Sequence, residues 1–295
     1  MCSLQRHKDS IFILLVVKYP WIQKGEIASL RYEHMLTGTF LSRPNRFIAH
    51  VLIAKKSHGE EEVICHVKNT GRCRELLIPG VKVLVQFHPE AAALGRKTEY
   101  SLIGVWKERE RGGPLLINMD SQAPNQAAYE WLQSIRENPP LPFHQAVENP
   151  SIYHPAIKNI RREITYDQSR FDLAFQAVLP GRCEEHQEEI PAFMEVKGVT
   201  LEENGLAMFP DAPTLRGVKH MQELINAHRE WYEAYILFVI QMKEMEAFTP
   251  NRKTHPEFAE ALKSAKEAGV HILAYDCVIT EDSISLDMPI PVYLA

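Results

Sequence analysis

Two short stretches decide how this chain folds: Phe193-Met-Glu-Val-Lys-Gly198 and, earlier, Ser169-Arg-Phe-Asp-Leu-Ala-Phe175. Side chains alternate between the two faces of a β-strand, so Glu195 and Lys197 are expected to share one face. The earlier stretch alternates in the same way and sets Asp172 on the face opposite its apolar side chains. Those apolar side chains are Phe171, Leu173 and Phe175. If the two strands pair, Asp172, Glu195 and Lys197 meet at one place on a sheet.

Two carboxylates beside a lysine suit a hard divalent cation. Mg²⁺ takes one or two carboxylate ligands and completes its shell with water and phosphate oxygens. Asp172 and Glu195 are therefore the predicted metal ligands, with Mg²⁺ as the cofactor and Mn²⁺ as a substitute. The metal would polarise a phosphate and lower the pKa of a bound water, while Lys197 orients that water or stabilises negative charge. On spacing alone the alternative is a solvent-facing ion pair without chemistry, because strands with Glu-x-Lys are common.

The composition is that of an ordinary globular protein with an uneven charge distribution. The chain has 295 residues, of which 45% are hydrophobic and 24% charged, enough for two domains with sizeable cores. Residues 1–125 carry 18 Lys and Arg against 12 Asp and Glu, whereas residues 126–295 carry 15 against 26. A basic front half and an acidic back half favour a polyanion-binding domain joined to a domain rich in metal ligands. Uneven solvated surface is the alternative.

The cysteines and the first residues bear on the compartment. The five cysteines include no Cys-x-x-Cys pair, which indicates reduced thiols in a cytoplasmic protein rather than a disulfide framework or a zinc ribbon. The apolar run at residues 11–17 is too short to span a bilayer, so no membrane association is predicted. Residues 1–30 are interpreted as an N-terminal extension.

Residues 31–119 are predicted to form an OB-fold-like, nucleic-acid-binding domain. About five short strand candidates with turn residues between them suggest a small β-barrel. They are residues 38–41, 46–54, 62–67, 81–87 and 100–106. A turn within residues 66–80 presents Lys68, Arg72 and Arg74, which suit contacts to phosphates more than base stacking. A solvated turn that leads into a short helix is the alternative.

Residues 120–295 are predicted to form a mixed α/β domain. Its first helix covers residues 127–136. Three antiparallel strands come next, and then a helix, a strand, a helix and a strand follow in that order. The three strands are residues 163–167, 170–179 and 193–200.

The helix boundaries in this half carry recognisable signals. Thr214 is the predicted N-cap of the middle helix, and Thr254 with Glu257 forms a predicted capping box for the last one. Gly269 ends that helix, and the next strand is expected to return in parallel. The middle helix is expected to bury Val218, Met221, Ile225 and Tyr232 and to turn Arg216, His220 and Glu223 to the opposite face.

The motifs around these residues resemble one known family, the sugar fermentation stimulation protein A (SfsA) family, from about residue 36 to residue 292. They are Arg43-Pro-Asn-Arg-Phe47, His66-Val-Lys-Asn-Thr-Gly-Arg-Cys-Arg-Glu-Leu77, Ile160-Arg-Arg-Glu163, Ser169-Arg-Phe-Asp172, Glu195-Val-Lys-Gly-Val-Thr200, Phe209-Pro-Asp-Ala212 and Arg216-Gly217. The resemblance implies an OB-like domain followed by a restriction-endonuclease-like, PD-(D/E)xK domain. It also implies DNA binding without strong sequence preference and an influence on the use of maltose and related sugars.

Three functions follow as hypotheses. In a metal-dependent nuclease, Asp172, Glu195 and Lys197 are catalytic and Glu163 is a further ligand, unless Glu163 simply pairs with neighbouring arginines. In a DNA-binding regulator of sugar fermentation, the acidic cluster is a structural relic and phosphate contacts supply the affinity. An enzyme that acts directly on sugars has little support.

The predicted nucleic-acid contacts combine basic residues of both halves. They are Arg46, Lys68, Arg72, Arg74, Lys97, Arg216 and His220. The predicted partner is DNA, and the oligomeric state stays open, with a homodimer as one option.

Overall fold

The computed structural model describes residues 29–54, 59–69, 71–110, 112–140, 142–143, 155–167, 169–180 and 187–294. Most of the predicted N-terminal extension, residues 1–28, lies outside the described residues. Leu30, the last residue of the predicted extension, belongs to a short strand, β1 (Leu30–Arg31). This strand pairs antiparallel with Ile284 and Ser283 near the other end of the chain.

A small closed barrel forms the front of the molecule. Its five strands are β2 (Met35–Asn45), β3 (Ile48–Ala54), β4 (Glu60–Val67), β5 (Lys82–Phe87) and β6 (Tyr100–Lys107). They follow the order β4-β3-β2-β5-β6, and β4 also pairs in parallel with β6, which closes the barrel. In β3, Ala49, Val51 and Ile53 are buried with a period of two, as expected for a strand with one face in a core. The predicted barrel is confirmed; β7 (Leu115–Asn118), which adds beside β6, was not predicted.

In its described residues, the back half contains a seven-stranded sheet and three helices. Its further strands are β8 (Ala156–Tyr166), β9 (Ser169–Pro180), β10 (Gln187–Val199), β13 (Glu233–Ile240), β15 (His271–Ile279) and β16 (Ser283–Pro289). The order is β1-β16-β15-β13-β10-β9-β8, with β10, β13 and β15 parallel and β9 antiparallel to β10. The mixed α/β prediction is confirmed. A small sheet of β11 (Leu201–Glu203), β12 (Leu206–Phe209) and β14 (Ala247–Pro250) was not predicted.

The helices cover both faces of the seven-stranded sheet. They are α1 (Ala123–Ile135), α2 (Leu215–Arg229) and α3 (Pro256–Glu267). Trp131 and Leu132 of α1 pack in one apolar cluster, whereas Leu224 of α2 and Phe258 of α3 pack in a second, which also contains the barrel core. Strand β13 is buried from Ala234 to Ile240 because both faces are covered, which explains its continuous apolar run.

The apolar residues of β9 do not share one face. Leu173 and Phe175 lie in the α1 cluster, but Phe171 lies in the cluster of α2 and α3. The prediction that all three share a face was wrong, because strict alternation holds only while the ladder is regular, and the β9–β10 ladder ends at Leu173 and Met194.

Helix ends follow the predicted signals in part. The Thr214 hydroxyl accepts the Gly217 N–H at 3.0 Å, which confirms the N-cap of α2. The capping box at Thr254 was wrong, since His255 is the N-cap of α3 and makes no side-chain cap bond. Helix α1 begins at Ala123, four residues earlier than predicted, because Pro124 is tolerated in a first helical turn.

The barrel and the α/β half share polar contacts as well as apolar ones. Lys107 at the end of β6 donates to the carboxylate of Glu202 at 2.6 Å, and Glu202 is 4% exposed. Gln241, just after β13, donates its side-chain amide to the Asn118 and Asp120 carbonyls at 3.0 and 3.1 Å. Within the described part of the chain, no helix is both long and apolar enough to cross a lipid bilayer.

Candidate metal and nucleic acid site

Asp172 lies where β9 and β10 separate. The last pair of their antiparallel ladder is Leu173 with Met194, next to Asp172. The Asp172 carboxylate continues the contact between the strands, because its Oδ2 accepts the Val196 N–H at 2.8 Å. Oδ1 accepts the side-chain amide of Asn125, in the first turn of α1, at 2.6 Å. Asp172 is thereby fixed beside the strand that carries Glu195 and Lys197.

Glu195 is 2% exposed and holds the centre of the site. Its Oε1 accepts Lys197 Nζ at 2.5 Å, so the predicted meeting of these two side chains on one face occurs. The same Oε1 also makes a short contact with Nδ1 of His220. Its Oε2 is buried and has no hydrogen-bond partner in the described residues.

His220 reaches Glu195 from helix α2. Arg216 donates Nε–H to His220 Nε2 at 3.2 Å, so Nε2 is the acceptor and the network assigns the ring proton to Nδ1, which donates to Glu195. His220 is 3% exposed and Glu223 is 8% exposed, so their predicted position on the outer face of the helix was wrong. A buried histidine is stable here because Glu195 supplies its hydrogen-bond partner.

The two carboxyl groups have opposite pKa shifts. Burial, followed by the nearby charge of Glu195, raises the pKa of Asp172 to about 6, against the bonds from Val196 and Asn125 and the charge of Lys197. Burial also acts to raise the pKa of Glu195, but the His220 bond and the Lys197 ammonium outweigh it and lower the pKa. The site therefore holds two carboxyl groups of different acidity, with the pKa of Glu195 lowered and that of Asp172 raised.

The donor set fits a small, hard cation bound by two carboxylates. Among the described residues no group of three or more His, Cys, Asp or Glu side chains could hold a metal ion. Mg²⁺ suits two protein ligands, because water and phosphate oxygens complete its octahedral shell. Glu195 Oε2 is the free oxygen for such a bond, and each Asp172 oxygen accepts one hydrogen bond and keeps a second lone pair.

Glu163 lies outside this cluster. It has a φ of 55° on β8, an edge strand, and its carboxylate is 3.5 Å from the guanidinium of Arg170. The Glu163 side chain is 62% exposed and the Arg170 side chain is 60% exposed. The structure thus brings together Asp172, Glu195 and Lys197, whereas Glu163 pairs with Arg170 of β9, which is not one of the two arginines beside it in the sequence.

The predicted nucleic-acid contacts divide into two residues that are tied to the protein and five that are exposed. Lys68 forms an ion pair with Asp120 at 2.7 Å across the junction of the two halves, and His220 is buried against Glu195. The exposed residues are Arg46, Arg72, Arg74 and Lys97 on the barrel and Arg216, which also donates to His220, at the start of α2.

Comparison with known proteins agrees with this architecture. The model of the sugar fermentation stimulation protein RE domain matches residues 122–283, and that of the SfsA N-terminal OB domain matches residues 41–113. The chain belongs to the sugar fermentation stimulation protein (SfsA) family.

Individual SfsA relatives match over most of the chain. A sugar fermentation stimulation protein homolog of Desulfitobacterium hafniense (strain Y51) is 51% identical over 255 residues, 86% of this chain and 94% of the relative. One from Alkaliphilus oremlandii is 48% identical over 257 residues, 87% of this chain and 96% of the relative. The solved structure of Pyrococcus furiosus SfsA in complex with Ca²⁺ matches with a TM-score of 0.67 and 27% identity, covering 90% of this chain and 98% of that one.

Sequence reasoning missed two residues that organise the site and the basic loop of this SfsA protein. Asn125 holds Asp172, but nothing local marks it, because the contact joins residues far apart in sequence. Arg43 donates to the carbonyls of Arg72 and Arg46 at 2.7 Å and of Asn69 at 2.8 Å, so it fixes the loop that displays the barrel arginines. Its place in a motif shared with the SfsA family was the available signal.

Proposed function

We propose that this chain binds DNA with little sequence preference and cleaves the phosphodiester backbone with a divalent cation held by Asp172 and Glu195. The observation that carries the proposal is the unpartnered Oε2 of Glu195. A buried carboxylate oxygen without a partner costs free energy, and a cation bound there would recover it. The Ca²⁺ in the Pyrococcus furiosus relative supports a divalent cation in this family, since Ca²⁺ and Mg²⁺ both take oxygen ligands.

The protein side chains have distinct tasks in this reaction. The bound cation would polarise the phosphate and lower the pKa of a water. Lys197, whose side chain is 16% exposed, provides a positive charge that orients that water or stabilises the charge that develops on phosphate. His220 holds Glu195 through Oε1 and leaves Oε2 to the cation, while Asn125 and the Val196 N–H hold Asp172.

DNA would reach this site over the basic surface. Exposed Arg46, Arg72, Arg74 and Lys97 on the barrel and Arg216 beside His220 provide charges for phosphates. Contacts of this kind carry no sequence information and weaken with salt, which favours binding of low sequence preference. The unpaired, buried thiols of Cys65, Cys73 and Cys277 support a reducing, cytoplasmic setting.

The test is to incubate the full chain with Mg²⁺ or Mn²⁺ and single-stranded, duplex and branched DNA, beside Lys197→Ala. Lys263→Ala, which removes an exposed charge from α3, is the matched control. We expect cleavage by the wild type and the control, and at least a hundredfold loss in Lys197→Ala. Absence of cleavage of every substrate with either metal ion would contradict the nuclease function.

A second candidate is a DNA-binding regulator of sugar fermentation that does not cleave. The observation in its favour is that the cluster contains only two carboxylates, with Lys197 bonded to one of them and Glu163 outside. The relatives' names, which concern sugar fermentation, fit this candidate; for a nuclease the sugar effect would be indirect. The regulator would bind DNA without cleavage, and Arg72→Ala with Arg74→Ala would lower affinity and flatten its salt dependence.

A further inference from the structure

A second cluster of basic side chains gathers around Ser101 in the barrel strand β6. Ser101 is fully buried, and the loop that joins β5 to β6 carries His88 and Arg96. The Ser101 Oγ accepts a guanidinium N–H of Arg96 at 2.9 Å and lies 2.9 Å from His88 Nε2. One buried hydroxyl thus fixes a guanidinium and an imidazole side by side. We call Ser101, His88, Arg96 and the neighbours described next the Ser101 cluster.

Three further residues surround this pair. His66 of β4 is the parallel partner of Ser101, and the carbonyl of His34 accepts the N–H of Phe87, next to His88. Burial, followed by the charges of Arg96, Lys68 and His34, lowers the pKa of His88. The full Ser101 cluster is therefore His34, His66, Lys68, His88, Arg96 and Ser101.

In this cluster the Arg96 guanidinium is the charge that no ion pair among the described residues neutralises. Lys68 is paired with Asp120 at 2.7 Å. In the described part of the chain no ion pair joins Arg96 or His88 to a carboxylate, and Arg96 is held only by the Thr98 carbonyl at 3.4 Å and by Ser101. A half-buried guanidinium and imidazole, fixed together and without an anion, form a prearranged pair of donors for phosphate oxygens.

The connection of the cluster to the carboxylates follows from the chain itself. Lys68 bonds to Asp120 through its ammonium, and its carbonyl accepts the Ser121 hydroxyl at 2.6 Å. Asn125, which holds Asp172, comes five residues after Asp120, a stretch that spans at most about 18 Å.

We propose that the Ser101 cluster is a phosphate-binding site that holds a further backbone phosphate of the nucleic acid bound at Asp172 and Glu195. The assignment to nucleic acid rests on the proposed function; the binding of phosphate does not. Arg96 supplies the guanidinium donors and the charge, His88 adds an imidazole N–H, and Lys68, paired with Asp120, adds an ammonium N–H. Ser101 keeps Arg96 and His88 in place.

Inorganic phosphate tests the site without DNA. The full chain is titrated with phosphate while the imidazole resonances are followed by NMR, and His88→Gln identifies the His88 signal by its loss. We expect phosphate to cause a saturable change in the chemical shift of the His88 imidazole. The phosphate affinity obtained from that change should be at least tenfold weaker in Arg96→Gln. Arg136→Gln, which removes one exposed charge from the other end of α1, should behave as the wild type. A His88 signal that does not move, or moves equally in Arg96→Gln, overturns the site.

The salt dependence of DNA binding tests the source of the phosphate. A lost duplex phosphate contact lowers the slope of log K against log salt by about 0.9. We expect that decrease for Arg96→Gln and an unchanged slope for Arg136→Gln. An unchanged slope in Arg96→Gln, with phosphate binding intact in the wild type, overturns the nucleic-acid assignment. If the wild type binds no DNA, the proposed function itself has failed, and the phosphate titration still decides the cluster.

Discussion

At the scale of single residues, the two carboxylates differ in what surrounds them. Glu195 has a lysine and a histidine on one oxygen and nothing on the other, whereas Asp172 has one neutral donor on each oxygen. This difference separates their pKa values and makes Asp172 the group that responds to pH. Substitutions can measure two consequences, the pH response of Asp172 and the support that His220 gives to Glu195.

Because the pKa of Asp172 is raised, its ionised form lowers the stability of the folded, metal-free protein. The folded state binds this proton more tightly than the unfolded chain, so the group favours folding at low pH, and that advantage is lost as pH rises from about 4 to about 6. In EDTA, we expect the free energy of unfolding of Asp172→Asn to rise relative to that of the wild type by on the order of 2 kcal/mol between about pH 4 and about pH 7. The change with pH is compared because the Asn side chain presents an NH₂ group to one of the two donors that Asp172 accepts, which adds a pH-independent difference. Urea unfolding of both proteins across pH measures the change, and a difference that stays constant over this range would contradict the shift.

His220 is expected to matter for stability far more than its neighbour Arg216. His220→Ala removes a buried donor from a buried carboxylate, which should cost about 1–3 kcal/mol. Arg216→Ala removes an exposed side chain from the outer end of the same chain of bonds and should cost less than about 1 kcal/mol. Denaturant unfolding of both variants makes the comparison, and equal losses would argue against a supporting role of His220.

Alternation along a strand was enough to predict Lys197 beside Glu195, because those side chains are two residues apart. The same rule could not predict His220 or Asn125, since their contacts cross 25 and 47 residues of sequence. Polar residues at the buried face of a helix look like surface residues until their partner is known. The sequence therefore located the reactive groups but not the side chains that hold them.

At the scale of elements, the structure departs from the predictions mainly where a ladder or a helix ends. Strands β9 and β10 were predicted from their period, but the end of the ladder at Leu173 depends on the Asp172 side chain, which takes the Val196 N–H. Helix α2 follows its predicted cap, Thr214, while the cap of α3 is His255, one residue after the predicted Thr254. A cap signal decides a helix start only when its side chain reaches a free N–H.

The two threonines provide a matched test of capping. Thr214→Ala removes the bond to the Gly217 N–H and should cost about 1 kcal/mol. Thr254→Ala is the same chemical change at a position where His255 is the cap, and it should change stability by less than about 0.5 kcal/mol. Thermal unfolding of the pair reports the difference. A larger loss for Thr254→Ala would contradict the assigned starts of α2 and α3.

At the scale of the whole molecule, the barrel and the α/β half are joined through buried polar contacts and a shared apolar cluster. The sequence predicted both halves from strand spacing and helix period. It did not predict the small sheet of β11, β12 and β14 or the pairing of β1 with β16, because these short strands lack a periodic signal of their own. The junction follows from long-range contacts that no local pattern carries.

The stability of the junction between the barrel and the α/β half is expected to depend on Lys107. Lys107→Ala would leave the Glu202 carboxylate, 4% exposed, without its ammonium partner and should cost about 3–5 kcal/mol. Arg109→Ala breaks a pair with Glu244, which is 61% exposed, and should cost less than about 1 kcal/mol. Urea unfolding of the two variants measures both values. A small loss in Lys107→Ala would show that this ion pair does not stabilise the junction.

Calorimetric titration with Mn²⁺ shows whether Asp172 and Glu195 hold a divalent cation. We expect one saturable site in the wild type, at least a tenfold weaker site in Glu195→Gln, and retained binding in Lys197→Ala because Lys197 is not a ligand. The isosteric change at Glu195 removes one charge while keeping the shape of the side chain. Equal Mn²⁺ affinity in the wild type and Glu195→Gln would contradict the account.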